Sequence, residues 1–264
     1  MRQLASGTRL GEGPRWADGR LLWVDIEGCA VHVFSEGEDR VVPVDAMVGA
    51  VAPWQGDVVL VALADAIASL DLTSGTIERL VPLPGARPGL RANDCNVDPA
   101  GRFWIGTMAL DETPGAATLS RWDGTGEPVI VLTDLTISNG LGWVGERMYF
   151  ADTPTGRVDV LDYDPATGEV SGRRPFAEVD APDGLCTDDE GGVWVANHGA
   201  GEVRRFAPDG TLDTVLEVPD EGTTSCAFAG STLYVTTRHG GLYAADVGVT
   251  GPPATPFRLG EPLP

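Results

Sequence analysis

The sequence contains no lysine: all 18 of its basic residues are arginine. Lysine forms the Schiff base of one class of covalent enzymes and contacts phosphate in the nucleotide-binding phosphate loop. The absence excludes both kinds of site, and it leaves the actual chemistry of the protein open.

Cysteine and histidine are also scarce. The four cysteines lie far apart, none forms a Cys-x-x-Cys pair, and the three histidines share no motif. This spacing excludes a zinc site of the finger type and a small disulfide scaffold, and it predicts reduced thiols in a cytoplasmic protein. No stretch approaches the roughly 18 apolar residues of a membrane span, and the first residues contain no apolar run typical of a signal peptide.

Positive charge is in short supply overall. The 39 acidic residues outnumber the basic ones and give a formal charge of −21. Such a field repels nucleic-acid phosphates and anionic lipid, so neither a nucleic acid nor a membrane is expected as a partner. A small molecule is the expected partner, and we expect the protein to be a monomer or a weak homodimer.

Short β-rich runs recur along the chain with nearly equal spacing. They are RLLWVD, DVVLVA, RFWIGT, RMYFAD, GVWVAN and TLYVTT. Their central residues, at positions 23, 60, 104, 150, 194 and 234, are separated by 37, 44, 46, 44 and 40 residues. Most are followed by a second extended run and a Gly-containing turn. One run, at 58–70, could be read as a helix, but it has the spacing of the other repeats, so we interpret it as two strands around Ala64 and Asp65.

Units of 40–45 residues with four strands are typical of propeller blades. The sequence therefore predicts an all-β protein, a six-bladed β-propeller with four-stranded antiparallel blades around a central channel, as one domain over residues 1–264. Two stacked β-sandwiches would not explain the equal periods. The sixth unit lacks strands, so both chain ends are expected to complete it together, which would hide the open sheet edges.

The repeat also predicts a site. Eleven residues before the central residue of four units lie Glu12, Asn93, Asn139 and Asp183. The second unit has Gly49 at this place and offers no side chain, and the sixth has Ser225 or a neighbour. Equivalent strand ends face each other across a propeller axis, so these groups should converge. Two carboxylates and two amides form a hard oxygen site suited to a divalent cation.

Other acidic residues fall elsewhere in the repeat. Asp18, Asp98 and the acidic run 188–190 lie in hairpin turns, where a solvated role is expected. Asp25 and Asp152 follow their strands and are expected to bind backbone groups between strands. Among the histidines, only His198, just beyond the run GVWVAN, is placed to edge the channel.

Several segments, in order along nearly the whole chain, resemble the regucalcin/gluconolactonase family, also called the senescence marker protein family. They are GEGPRW, RANDCNVDPAGRFWIGTM, ISNGLGW, YFADTPTGRVDVLDYDPATGEV, APDGLCTDDEGGVWVA and TTSCAFAG. The resemblance implies a six-bladed propeller with one divalent metal ion in its channel, and in many members the hydrolysis of sugar lactones.

The resemblance also implies roles for particular residues. The metal ligands would be Glu12, Asn139 and Asp183. Our own hypothesis for hydrolysis is that Asp183, as a carboxylate touching the metal, is the general base that activates water. The substrate-binding Arg and Asn would be Arg91 and Asn93. Asp111 lies where some members place a substrate-contacting glutamate, and it is one methylene shorter.

One departure from the family pattern is Cys95, which follows Asn93 and Asp94 where glycine is common. The pocket walls also depart from it, so the substrate is open. The alternatives are a propeller hydrolase of another ester, lactone or organophosphate, and a calcium-binding protein without catalysis. A plain interaction scaffold would leave the convergence of four polar residues unexplained. The residue types admit Ca²⁺, Zn²⁺, Mn²⁺ or Fe²⁺ as the cation.

Overall fold

Six β-sheets account for nearly all of the regular structure in the computed structural model, which describes residues 1–258. Within each sheet, chain neighbours pair in antiparallel fashion. The strands of blade one are β2 (Gly11–Ala17), β3 (Arg20–Asp25), β4 (Ala30–Ser35) and β5 (Glu38–Pro43). Those of blade two are β6 (Val48–Gln55), β7 (Val58–Leu63), β8 (Ala66–Asp71) and β9 (Ile77–Pro82). Those of blade three are β10 (Leu90–Val97), β11 (Phe103–Ala109), β12 (Ala117–Trp122) and β13 (Val129–Leu135).

The second half of the chain repeats this plan. The strands of blade four are β14 (Ser138–Val144), β15 (Arg147–Asp152), β16 (Arg157–Tyr163) and β17 (Val170–Glu178). Those of blade five are β18 (Pro182–Thr187), β19 (Val193–Asn197), β20 (Glu202–Phe206) and β21 (Leu212–Glu217). A 3₁₀ turn, Thr153–Thr155, is the one helical element in residues 1–258. The six-bladed propeller is confirmed, and so is the reading of the run 58–70 as two strands.

Blade six joins the two ends of the chain. β22 (Thr223–Thr237) doubles back near Gly230. A hydrogen bond of 3.0 Å from the Thr224 hydroxyl to the Thr236 hydroxyl joins its two halves. The second half of β22 pairs with β23 (Gly241–Gly251), and β1 (Arg2–Ala5) from the start of the chain pairs with β23. The predicted closure by both ends is confirmed, and β23 gains a hydrogen-bonded neighbour on its outer edge.

The central residue of each repeat lies in the second strand of its blade. Five of the six are buried: Trp23, Leu60, Trp104, Phe150 and Trp194. They pack between neighbouring sheets, so each blade interface has its own apolar cluster. The sequence period thus marks the residues that fill the space between blades.

Two acidic residues in hairpin turns are not solvated as predicted. Asp98 and Asp188 do lie in hairpin turns, but both are buried, whereas Asp18 is exposed. Each buried carboxylate accepts the indole N–H of the tryptophan six residues later, Trp104 at 3.0 Å and Trp194 at 2.8 Å. The solvated role predicted for Asp98 and Asp188 is therefore wrong, because a buried indole N–H requires an acceptor.

The predicted role of Asp25 and Asp152 is confirmed. Asp25 accepts the backbone N–H groups of Arg9 and Leu10, and Asp152 accepts those of Thr136 and Ile137. Each carboxylate fixes the segment that leads into an inner strand.

After β23 the chain forms an extended strap, residues 252–258, across one face of the propeller. Its backbone N–H groups donate to the carbonyl oxygens of Trp16 in blade one, Pro53 in blade two and Gly101 in the first hairpin turn of blade three. Phe257 is 2% exposed and stacks on Trp122 with ring centroids 5.3 Å apart. The strap therefore links three blades that lie far from it in sequence.

Replacing Phe257 should destabilise the whole fold. Truncation of a buried phenylalanine leaves a cavity, so Phe257→Ala is expected to lower the free energy of unfolding by about 3 kcal/mol. Chemical denaturation measures this loss, and Leu212→Ala, at a leucine that is 53% exposed, serves as the matched control. Equal midpoints for the two variants would contradict a stabilising strap.

Candidate functional site

The candidate residues lie where the inner strands break register. Pairing with the second strand shifts between Ala92 and Cys95 in β10, Ser138 and Leu141 in β14, and Pro182 and Leu185 in β18. A β-bulge of this kind turns side chains away from the regular pleat. Asn93, Asn139 and Asp183 lie inside these three bulges. Glu12 lies at the edge of a fourth, in β2.

Glycines allow the inner strands to approach one another closely at the bulges. A Cβ added at Gly49 would lie 2.5 Å from the Asn93 carbonyl oxygen, and one added at Gly140 would lie 2.5 Å from that of Asp183. Blade two thus contributes no side chain at this level, as predicted, and its glycine instead makes room for Asn93. The close approach buries the polar groups between the strands.

Glu12, Arg91, Asn93, Asn139 and Asp183, called here the axial cluster, are all less than 9% exposed. Burial, and then the Asp94 charge, raises the pKa of Glu12 to about 8. Burial, followed by the charges of Glu12 and Asp94, raises the pKa of Asp183 well above its ordinary value. The two carboxylates thus lie close enough to disfavour each other's ionisation, a situation that a cation would relieve.

Two oxygen atoms of the cluster are buried without a hydrogen bond. Within residues 1–258, neither Asn139 Oδ1 nor Asp183 Oδ1 has a donor partner. The Asn139 amide is held in orientation because its Nδ2 donates to Thr153 Oγ1 at 3.0 Å, and this hydroxyl in turn donates to the Pro182 carbonyl at 2.7 Å. Buried acceptors in native proteins nearly always have a partner, so these two oxygens indicate a ligand.

The residues present fit a hard cation. Glu12 and Asp183 supply carboxylate oxygens and Asn139 an amide oxygen, the donor types that oxygen-preferring divalent ions select. Among residues 1–258, no three His, Cys, Asp or Glu side chains group closely enough to hold a metal by themselves. A metal site here would therefore depend on the Asn139 amide together with water.

Arg91 and Asn93 form one unit beside the acids. Arg91 Nη1 donates to Asn93 Oδ1 at 2.7 Å and to the Ala92 carbonyl at 2.8 Å. Asn93 Nδ2 donates to the Ser138 carbonyl at 2.9 Å. Burial lowers the pKa of Arg91, and the charges of Glu12 and Asp183 oppose this shift. The charge of the guanidinium therefore partly compensates that of both acids.

His198 lies at the edge of the cluster, as the sequence predicted. Its Nδ1 is 3.5 Å from Asp183 Oδ2 and 3.3 Å from the Thr223 carbonyl oxygen. Its side chain is 37% exposed, more than that of any cluster member. The imidazole thus connects Asp183 to solvent.

Asp111 lies apart from the cluster. It is exposed and accepts the backbone N–H and the hydroxyl of Thr113, so its carboxylate closes a local turn. Its loop begins after β11 and touches the segment before β10, where the Leu110 N–H donates to the Gly89 carbonyl at 2.7 Å. Asp111 is therefore at the same end of blade three as Arg91, without a described contact between them in residues 1–258.

Sequence reasoning missed a buried ion pair next to the cluster. Arg15 Nη2 is 3.1 Å from Asp94 Oδ1, and both side chains are almost fully buried. Burial raises the pKa of Asp94, and Arg15 opposes the shift. The adjacency of Asp94 to Asn93 was a visible signal, but a partner 79 residues away in sequence was not.

A six-bladed propeller with buried carboxylate and amide oxygens on its inner strands is the class of protein that the fold and the site define. The model of the SMP-30/Gluconolactonase/LRE-like region matches residues 10–239. This chain belongs to that family.

Individual relatives support the assignment. The chain is 33% identical to the putative sugar lactone lactonase YvrE of Bacillus subtilis, over 94% of each chain. A solved structure described as a calcium-binding protein, regucalcin, of Agrobacterium tumefaciens has 28% identity and a TM-score of 0.92, covering 98% of this chain and 97% of that one. The gluconolactonase XC5397 of Xanthomonas campestris has 25% identity and a TM-score of 0.77, covering 95% and 89%.

The charges of the cluster predict how stability varies with pH in protein stripped of divalent cations. In the unfolded chain Glu12 loses its proton near its ordinary pKa of 4.5, whereas in the folded protein it keeps the proton to about pH 8. The folded state therefore binds more protons between these values, and its stability should fall as pH rises through them, by on the order of 5 kcal/mol.

Thermal denaturation between pH 5 and 9 measures this slope. Glu12→Gln should reduce it, while Glu217→Gln, at an exposed position, should leave it unchanged. Added divalent cation should stabilise the wild type more strongly at pH 8 than at pH 5, because it competes with the proton. A slope that Glu12→Gln leaves intact would contradict this account.

Proposed function

We propose that this protein is a metal-dependent hydrolase that opens sugar lactones to the corresponding aldonic acids. The observation that carries the proposal is the pair of buried oxygens without a hydrogen-bond partner in residues 1–258, Asn139 Oδ1 and Asp183 Oδ1, near the charges of Glu12 and Arg91. The names of two relatives support it, since YvrE is named a putative sugar lactone lactonase and XC5397 a gluconolactonase.

Glu12, Asn139 and Asp183 would hold the cation. When bound, a divalent cation supplies Lewis-acid stabilisation of the negative charge that develops on the lactone carbonyl oxygen. Ca²⁺, Zn²⁺, Mn²⁺ and Fe²⁺ are the candidates, and the absence of sulfur and nitrogen from the three-residue set favours the harder ions among them.

Asp183 would act as the general base. Its carboxylate takes a proton from the attacking water as the C–O bond to the carbonyl carbon forms, and it returns the proton to the ring oxygen as the ester bond breaks. The product is a hydroxy acid. His198, 3.5 Å from the other carboxylate oxygen, would orient Asp183 and exchange protons with solvent.

Arg91 and Asn93 would bind the substrate. The hydrogen bonds of the Arg91 guanidinium to residues 1–258 all come from Nη1, so its remaining donors are available for sugar hydroxyls or the product carboxylate. Asn93 would hold Arg91 in place through its Oδ1. Asp111, on the loop at the same end of blade three, would accept hydrogen bonds from hydroxyls at the rim.

Hydrolysis of an aldonolactone panel tests the proposed function. Metal-stripped protein should be inactive, and reconstitution with each of the four cations in turn should restore activity and identify the metal that supports it. Aryl esters and phosphotriesters in the same assay discriminate lactonases from other hydrolases. Calcium binding without hydrolysis of any substrate would instead favour a non-catalytic role, which the description of the Agrobacterium relative as a calcium-binding protein keeps under consideration.

Asp183→Asn should abolish turnover. Removal of the base and of one anionic ligand is expected to lower kcat by at least about 100-fold and to weaken cation binding. Asp180→Asn, three residues earlier with an 88% exposed side chain, should retain full activity. Steady-state kinetics and calorimetric cation titration measure the two effects, and an active Asp183→Asn variant would exclude the assigned base.

Arg91→Ala should act mainly on substrate binding. Loss of charged hydrogen bonds is expected to raise KM by roughly 10–100-fold with a smaller change in kcat. Arg174→Ala, at an exposed arginine of blade four, is the control. A normal KM for Arg91→Ala would remove Arg91 from the substrate site.

A further inference from the structure

Two cysteines face each other across neighbouring blades, away from the axial cluster. The Sγ atoms of Cys186 in β18 and Cys226 in β22 are 3.5 Å apart, which is van der Waals contact. Both lie on inner strands, one in blade five and the other in blade six. Cys226 is fully buried, and Cys186 is half-buried.

The backbone explains why the two thiols meet. A Cβ added at Gly184 would lie 2.8 Å from the Ser225 Cα. At this point β18 and β22 are therefore closer together than a side chain at position 184 would allow. Cys186 and Cys226 follow two and one residues later. A disulfide requires Cα atoms within about 7 Å, and the close approach of the two strands, with the Sγ atoms already 3.5 Å apart, favours its formation without rearrangement of the blades.

A cavity gives small reagents access to the pair. It has a volume of about 270 Å³ and lies further along the inner strands than the axial cluster, with Arg15, Asn96, Leu185 and Phe228 in its wall beside both cysteines. The strap residues Pro252–Thr255 border it. A molecule the size of a peroxide fits such a space easily.

We propose that Cys186 and Cys226 form a modification site, a dithiol that hydrogen peroxide oxidises to a disulfide between blades five and six. One sulfur attacks a peroxide oxygen, the O–O bond breaks, and a sulfenic acid and water form. The second sulfur attacks the first, the S–O bond breaks, and a second water leaves. Each sulfur loses one electron, both peroxide oxygens are reduced, and the two thiol protons end in water.

The other cysteines have no such arrangement. Cys95 is buried, and its Sγ donates to the Asn93 carbonyl at 3.4 Å, while Cys29 lies near a turn of blade one. Within residues 1–258, the pair Cys186 and Cys226 is the one thiol contact. Oxidation should therefore be specific. It should also be slow, since burial raises the pKa of Cys186 and thiolate is scarce.

Peptide mapping under non-reducing conditions tests the site directly. Folded wild-type protein is treated with hydrogen peroxide for several hours, free thiols are blocked, and the chain is cleaved with trypsin, which cuts after arginine but spares the Arg174–Pro175 bond. We expect the segments 174–204 and 206–238, which contain Cys186 and Cys226, to be joined and to separate on reduction. The link should be absent from Cys186→Ser and present in Cys29→Ser.

Thermal stability supplies a second, independent measurement. A cross-link between residues 40 apart restricts the unfolded chain, so oxidised wild type should melt roughly 10 °C above the reduced form, and reductant should reverse the shift. Cys186→Ser should show no such shift with peroxide. Recovery of segments 174–204 and 206–238 unlinked from folded, peroxide-treated wild type would overturn the proposal.

Discussion

Close approach of the inner strands around one axis is the constraint on which the rest of the structure depends. At Gly49, Gly140 and Gly184 the neighbouring strand occupies the space where a side chain would be. These glycines lie at bulges of the inner strands, and the bulges of β10, β14 and β18 hold Asn93, Asn139 and Asp183 out of the regular pleat. The same contact brings two thiols together further along the axis. Site and fold therefore have one origin.

Burial at the axis creates an electrostatic problem that the protein solves only in part. If Glu12, Asp94 and Asp183 are all ionised, they contribute three negative charges against the two positive charges of Arg15 and Arg91. Desolvation makes the residual charge costly, which explains why protons are held to unusually high pH. In the proposed function, a divalent cation would replace those protons and use the lone pairs of Asn139 and Asp183. The unbalanced negative charge is thus the feature of the site that would favour a cation.

The repeat made much of this predictable. The nearly equal spacing of buried residues such as Trp104 and Trp194 identifies the blades. Asn139 and Asp183 lie eleven residues before the central residues of their blades, because the hairpin between the first two strands has nearly the same length in both. Repeat position does not show whether a side chain is solvated. Asp98 was therefore predicted to be solvated, although it is buried as the acceptor of the Trp104 indole N–H. Nor can one sequence reveal pairs such as Arg15 and Asp94, whose contact exists only after the ring closes. The loop that carries Asp111 follows no repeat, and its relation to the cluster depends on loop conformation.

The strap has a consequence for the order of folding. The partners of residues 252–258 lie in and beside blades one to three, and β1 finds its place only beside β23. During synthesis the early blades therefore emerge long before the segments that cover them. Until then Trp54 and Trp122, which pack on Phe257, keep an uncovered apolar face, and the first blade keeps an open flank. Ring closure is a late, long-range event, so a chain that stops short of its last segment resembles an unfinished ring, with the surfaces that promote aggregation.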